Sequence, residues 1–434
     1  MTTSDLTAAA TLPQPHFRLG DAPLDIPRAA TPAAPAQLAV PPAAPAPAPV
    51  LAPAPASAPG PLAMIPPADP GAGYRAQQAE IDAALHRAAA SGWYILGREG
   101  AAFEAEFARW LGTARAVGCG SGTDAIVLAL RALGIGPDAT VVTVSHTAVA
   151  SVAAIEVVGA TPLLLDIDPE TFTMDPDELI SVLGDPPPGL PPIRAVLAVH
   201  LYGQGCDLGP MLEACGALGI PLIEDCAQCH GSLLDGRKLG TFGRVSAFSL
   251  YPTKNLGALG DAGIVATDDA ALADRIGALR QYGWRDRYIS AESGINSRLD
   301  ELQAAVLRAR LPRLDGNNAR RREIAAAYDA ALTGGPVAPP VRRPGAEHVF
   351  HQYVLRVPGR PAMQAMLREA GIGTAIHYPM PVHLQPAYRG RVPLGPAECR
   401  ETERAAEEVL SLPMYPEMTD EQVDRVCAAL RALR

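Results

Sequence analysis

Three things are missing from this sequence of 434 residues. The first is clustered positive charge. Lys and Arg number 36 against 46 Asp and Glu, a formal net charge of −10, and no stretch is markedly basic, which disfavours nucleic acid as a partner. The second is an export signal. Met1-Thr2-Thr3-Ser4-Asp5 has no basic segment and no compact apolar run behind it. The third is a cysteine framework. Seven cysteines is an odd number, and a chain this long needs no staples. A reducing, cytoplasmic setting is expected, without membrane attachment. Cys226 and Cys229 form a C-x-x-C, but no second such pair exists, and buried, inert thiols are the expectation.

Charge is also absent from Ala29 to Ala68. That gap is not a membrane span, because 28 of the 40 residues from Thr31 to Pro70 are Pro or Ala. Proline at that density cannot hold a helix or a central strand. Residues 1–72 are therefore expected to form a disordered, polyproline-like arm. The 44 prolines, about twice the usual share, reflect that arm. The rest of the sequence has the composition of a near-average globular chain.

From Gly73 onward apolar runs alternate with amphipathic stretches. Strands are expected at Thr140–Val144, Pro162–Asp166, Ile193–His200, Pro221–Glu224, Val245–Leu250 and Ile264–Thr267. Helical spacing falls at Gln77–Ala90, Ala102–Leu111, Thr123–Leu133, Ala148–Val158, Pro176–Leu183, Leu208–Leu218 and Ala270–Gln281. The alternation predicts an α/β domain with a mostly parallel sheet flanked by helices, over residues 73–315. Later come two long helices at Leu299–Leu314 and Asn318–Leu332, then short strands (Val349–Val357) and helices at Ala362–Ala370, Arg400–Leu410 and Asp420–Leu433. They predict a smaller C-terminal α/β domain over 316–434. Ligands on such sheets bind at the carboxyl ends of strands.

Candidate chemistry lies just past the strands. Gly118-Cys119-Gly120-Ser121-Gly122-Thr123 lets backbone approach an oxyanion and opens a helix whose free N–H groups favour phosphate. It is equally a tight strand–helix turn, and its spacing is not that of a dinucleotide fold. Asp225 ends an apolar strand in Leu222-Ile223-Glu224-Asp225. An acid there needs a partner, and a protonated heterocycle nitrogen would serve. A plain helix-capping role is the alternative. Lys254, in Pro252-Thr253-Lys254-Asn255-Leu256-Gly257, comes after a strand, in a crevice where its pKa can fall and its amine attack a carbonyl. Alone, a surface-loop lysine reads as well.

The order of these parts, with the lysine 29 residues after the acid, is that of fold-type I pyridoxal-phosphate enzymes. From Ser91-Gly92-Trp93-Tyr94-Ile95-Leu96-Gly97 to its end the chain resembles the DegT/DnrJ/EryC1/StrS family of sugar aminotransferases. Glu224-Asp225-Cys226-Ala227-Gln228, the Lys254 segment, Gly294-Ile295-Asn296-Ser297-Arg298-Leu299-Asp300 and Ile376-His377-Tyr378-Pro379 carry the resemblance. It implies that Lys254 forms the Schiff base with pyridoxal 5'-phosphate and moves protons. Asp225 would partner the pyridine nitrogen, Gln228 the phenolic oxygen, and Gly122, Thr123 and Ser249 the phosphate. His146 would stack on the ring. Asn296 would reach the phosphate of the neighbouring subunit, making a homodimer with shared active sites. His377, Tyr378 and His383 would lie near the sugar nucleotide, although each is equally a structural residue. The family usually has Ala where this chain has Cys226 and Cys229. Relatives that dehydrate sugars replace the lysine by His, and this chain keeps it.

The resemblance further implies L-glutamate as amino donor and a nucleotide-linked keto sugar as acceptor, with no metal. The runs Lys254–Asp261 and Asn296–Gln303 look most like members acting on 3-keto-6-deoxy sugars linked to dTDP, which favours a 3-keto over a 4-keto substrate. Two other classes stay open at this point. A nucleotide-binding oxidoreductase would use the glycine turn and have no need of Lys254. A non-catalytic regulator of the same fold would bind the cofactor and exchange no amine.

Overall fold

The computed structural model of the chain describes residues 63–433. The expected arm, as far as residue 62, lies outside the described residues. Residues 63–72, which composition assigns to the arm, are built into the folded body instead. Ile65 is fully buried. Its N–H donates to the Gly371 carbonyl (2.9 Å) and its carbonyl accepts from the Gly373 N–H (2.8 Å). Asp69 then caps the helix Pro70–Ala76 by accepting from the Ala72 N–H (2.9 Å). One buried isoleucine and one Asp-Pro helix start are enough to anchor the segment. A compositional window averages both away.

Seven strands form the central sheet: β1 (Arg115–Cys119), β2 (Thr140–Val144), β3 (Thr161–Leu165), β4 (Ile193–Val199), β5 (Leu222–Asp225), β6 (Val245–Ser249) and β7 (Gly263–Thr267). Their order is β1-β7-β6-β5-β4-β2-β3. The pairings of β2 with β3 and β4, of β4 with β5, and of β5 with β6 are parallel. Strand β7 runs antiparallel to both β6 and β1. The carboxyl ends of the other six therefore share one edge, and Gly263 at the start of β7 joins them. Burial explains the continuous apolar runs. Val142 and Val144 pack into one core and Val141 into another on the opposite face. The same split separates Val196 and Ala198 from Ala195 and Leu197, so both faces are covered by helices.

Beyond the sheet, the helix Leu314–Leu332 leads into a smaller body built on β8 (Tyr353–Arg356) and β9 (Val409–Leu412), an antiparallel pair. Its core joins Tyr328, Tyr353, Leu355, Leu410 and Val426, with Ile65 among them. The expected helix Arg400–Leu410 stops at Glu408, because Val409 and Leu410 turn extended to pair with β8. No described helix is long and apolar enough to cross a membrane.

Candidate active site

The carboxyl edge of the sheet gathers most of the expected side chains. Gly122 opens the helix after β1, His146 lies two residues beyond β2, Asp225 ends β5, and Ser249 ends β6. The glycines are there for space. A Cβ on Gly122 would stand 2.5 Å from the Ser249 Cβ, and one on Gly263 would stand 2.1 Å from the Ser121 carbonyl oxygen. The loop can therefore lie flat on β6 and β7. Ser121 caps the helix by accepting from the Asp124 N–H (3.1 Å), and the amides of Gly122 and Thr123 remain at its open end. That is a cradle for a phosphate.

Asp225 is buried. Its two oxygens accept from the Ser151 hydroxyl (2.8 Å) and the Ala227 N–H (3.1 Å). No cation pairs with it among the described residues. Burial raises its pKa against the opposing pull of those hydrogen bonds and of Lys254. A buried carboxylate with spare acceptor capacity and no counter-ion fits a ring N–H⁺. Lys254 sits in the turn after β6, and its pKa is lowered to about 8, by burial first, with Asp225 opposing. Its neutral amine is therefore accessible near physiological pH, as a nucleophile requires.

His146 is buried and its pKa falls to about 4 for the same reason. Its Nε2 lies 2.8 Å from the Tyr202 hydroxyl, and that hydroxyl donates to the His377 carbonyl. The hydroxyl proton being spent, Nε2 must carry the imidazole proton. His146 is thus a neutral ring in a fixed tautomer, suited to stacking. The Tyr202 N–H donates to Gln228 Oε1 (2.7 Å), which leaves Gln228 Nε2 to donate to the Tyr378 hydroxyl (3.1 Å). Tyr202 and Ser151 are the residues that sequence reasoning missed. Tyr202 holds three site elements at once, from a backbone φ of 62° that a sequence does not announce.

His377 bonds Ser411 through Nδ1 (2.8 Å) and lines a cavity beside Lys254. His383 is turned inward. Its Nδ1 meets the Ser145 hydroxyl (2.7 Å) and its Nε2 meets Glu403 (3.1 Å), so both nitrogens are engaged away from the cleft. Asn296 is exposed, while its neighbour Ser297 is tied to the glycine loop through the Gly120 N–H (2.9 Å) and Asp124 (2.8 Å). Cys226 and Cys229 are fully buried free thiols, and burial raises the Cys226 pKa. Glu224, beside Asp225, is structural. It accepts from three backbone N–H groups at 2.7 Å and from His200 at 3.0 Å.

The donor set fits pyridoxal phosphate: a phosphate cradle, an unpaired buried acid, a neutral stacking ring and a lysine with a depressed pKa. Known proteins agree. The chain is 44% identical over 361 residues to a dTDP-3-amino-3,4,6-trideoxy-alpha-D-glucose transaminase of Streptomyces venezuelae, covering 83% of this chain and 93% of that one. The crystal structure of S. venezuelae DesV in complex with a ketimine intermediate superposes with a TM-score of 0.81 at 44% identity, over 85% of this chain and 98% of DesV. Bacillus subtilis NtdA, solved with bound cofactor PMP, gives a TM-score of 0.74 at 28% identity over 82% of both chains. The profile of the DegT/DnrJ/EryC1/StrS aminotransferase family matches residues 75–431, and the chain belongs to that family.

Proposed function

We propose that this chain transfers an amino group from L-glutamate to the 3-keto group of a dTDP-linked deoxysugar, with pyridoxal phosphate as cofactor, in amino-sugar biosynthesis. The observation that carries the reading is the pair of Asp225 and Lys254 at adjacent strand ends. One is a buried acid without a counter-ion, the other a lysine made nucleophilic by burial. The transaminase name of the S. venezuelae relative supports the 3-position and the dTDP carrier.

When bound, the cofactor supplies a cationic ring that accepts electrons from the carbon being deprotonated. The protein does the rest. Asp225 holds the ring nitrogen's proton through its Oδ atoms. His146 stacks on the ring and helps exclude water. Gln228, its amide oriented by Tyr202, faces the phenolic oxygen. Gly122, Thr123 and Ser249 bind the phosphate. The Nζ of Lys254 takes the proton from the donor's Cα and delivers it where the new amine forms. His377 and Tyr378 line the side where the sugar enters, and His383 backs them from behind Ser145. Asn296, exposed on one chain, reaches the partner's phosphate in a homodimer. Exposed Tyr282, Tyr288 and Ile289 nearby offer apolar surface for that contact. A cytoplasmic location suits seven unpaired thiols.

The reading is tested by light absorption. Protein reconstituted with pyridoxal phosphate should show a visible band that bleaches with L-glutamate and returns with the keto sugar. Lys254→Ala should lack the band. Borohydride reduction and peptide mapping should place the cofactor on Lys254 and not on Lys238, the other lysine of the chain. A colourless reconstituted wild type would refute the proposal.

A further inference from the structure

A cavity of about 180 Å³ opens beside Lys254, between the lysine turn, the helices around Arg310 and Arg321, and the Pro67–Gln77 segment. A small amino acid fits that space. Two arginines line it with little compensation. Arg321, 5% exposed, gives Nη1 to the carbonyls of Phe350 (3.1 Å), His351 (3.5 Å) and Met414 (2.9 Å), and its buried Nε has no partner. Arg310 gives Nη1 to the Gly257 carbonyl (2.6 Å), and its buried Nη2 has none.

Neither arginine is in an ion pair among the described residues. Arg280, Arg308, Arg343 and Arg356, which are also largely withdrawn from solvent, each hold a carboxylate. Burying a guanidinium charge without an anion is costly. The acids at the cavity give neither arginine a direct partner. Asp69 is engaged by Arg75 and its own helix. Glu417, whose pKa burial raises, acts on both arginines through space and offsets part of their charge, but forms an ion pair with neither. Gln352 and Gln77 add amides whose oxygens are unmatched, and amide rotation can turn their N–H groups inward.

We infer that this cavity binds the carboxylate of the amino-acid donor, with Arg310 and Arg321 supplying the charge-assisted hydrogen bonds. The inference rests on the aminotransferase reading above and adds the place where the donor is recognised. The donor's carboxylate enters the arginine-lined cavity.

The probe is glutarate, a dicarboxylate without an amine, titrated by calorimetry into the pyridoxal-phosphate-loaded protein. Wild type should bind it. Arg310→Gln and Gln352→Glu should each weaken binding by about tenfold or more, and Arg310→Lys should recover part of the loss. In the spectral assay, the L-glutamate needed for half-bleaching should rise about tenfold relative to the amino sugar needed for the reverse reaction. Gln352 bonds no described backbone group through its side chain, so its variant keeps the test open if Arg310→Gln does not fold. Glutarate affinity unchanged in Gln352→Glu, or a wild type bleached by L-glutamate yet blind to glutarate, would overturn the inference. If no amino acid bleaches wild type but glutarate binds and Gln352→Glu abolishes it, the cavity assignment stands and the proposed function falls.

Discussion

At the scale of single residues, the site depends on charges kept unbalanced. Burial lowers the pKa of Lys254 to about 8, while an exposed lysine stays near 10.4. The sign of the consequence is fixed. Below about 8 the amine is protonated and cannot attack an aldehyde, and above it the neutral form dominates. Capture of pyridoxal phosphate by the cofactor-free protein should therefore slow about tenfold per unit as pH falls below 8, and level off above it. Stopped-flow absorbance across about pH 6 to 9.5 reads this directly. A midpoint near 10 would mean that the crevice does not desolvate the lysine. Asp225 and Lys254 were legible in the sequence because Asp225 ends one apolar run, Lys254 follows the turn after another, and their order behind the glycine turn is that of fold-type I enzymes. Tyr202 was not. Its function lies in a backbone N–H, a hydroxyl and a left-handed φ, and none of these has a compositional signal.

At the scale of elements, the phosphate cradle depends on how closely one loop lies on two strands. Gly263 starts β7 directly beneath Ser121, where a Cβ would come within 2.1 Å of a backbone oxygen. That atom is held by the helix start and cannot swing away as a side-chain end would. Gly263→Ala should therefore lift the loop at a cost of about 1–3 kcal/mol. The amides of Gly122 and Thr123 should be misplaced, and the Kd for pyridoxal phosphate, read by fluorescence titration, should rise about tenfold or more. An unchanged Kd with unchanged stability would show that the loop is free to move.

The elements themselves were read well where one face or both were buried, since periodicity reports burial. Leu208–Leu218 and Thr140–Val144 match residue for residue. The edge strand β1 was missed, because Arg115-Ala116-Val117-Gly118-Cys119 contains a glycine and a charge and gains its strand character only from pairing with β7. Strand β9 was absorbed into a helix because Val409 and Leu410 continue the helical spacing of the preceding turns. Pairing with β8 decides against that local preference.

At the scale of the whole molecule, the question is where the catalytic body begins. Composition drew the line at 72, but the structure places Ile65 in the core of the smaller body and Asp69 and Pro70 at a helix start. Pro67, Asp69 and Gln77 also border the cavity beside Lys254. Two truncations should then behave differently. Removing residues 1–62 leaves every side chain assigned to the site, and the resulting protein should keep the visible band and amine exchange within about twofold, a change below ~0.4 kcal/mol. Removing residues 1–72 also takes out the buried Ile65 side chain and its two backbone hydrogen bonds to Gly371 and Gly373. Losing a buried isoleucine costs about 2–5 kcal/mol, and losing the hydrogen bonds adds to it. The shorter protein should unfold at lower urea, with L-glutamate binding weakened further because one wall of its cavity is gone. The point variant Ile65→Ala in the intact chain separates these effects. It should reproduce much of the stability loss and leave the affinity for L-glutamate nearly unchanged. Equal urea midpoints for the two truncations would return the boundary to residue 72.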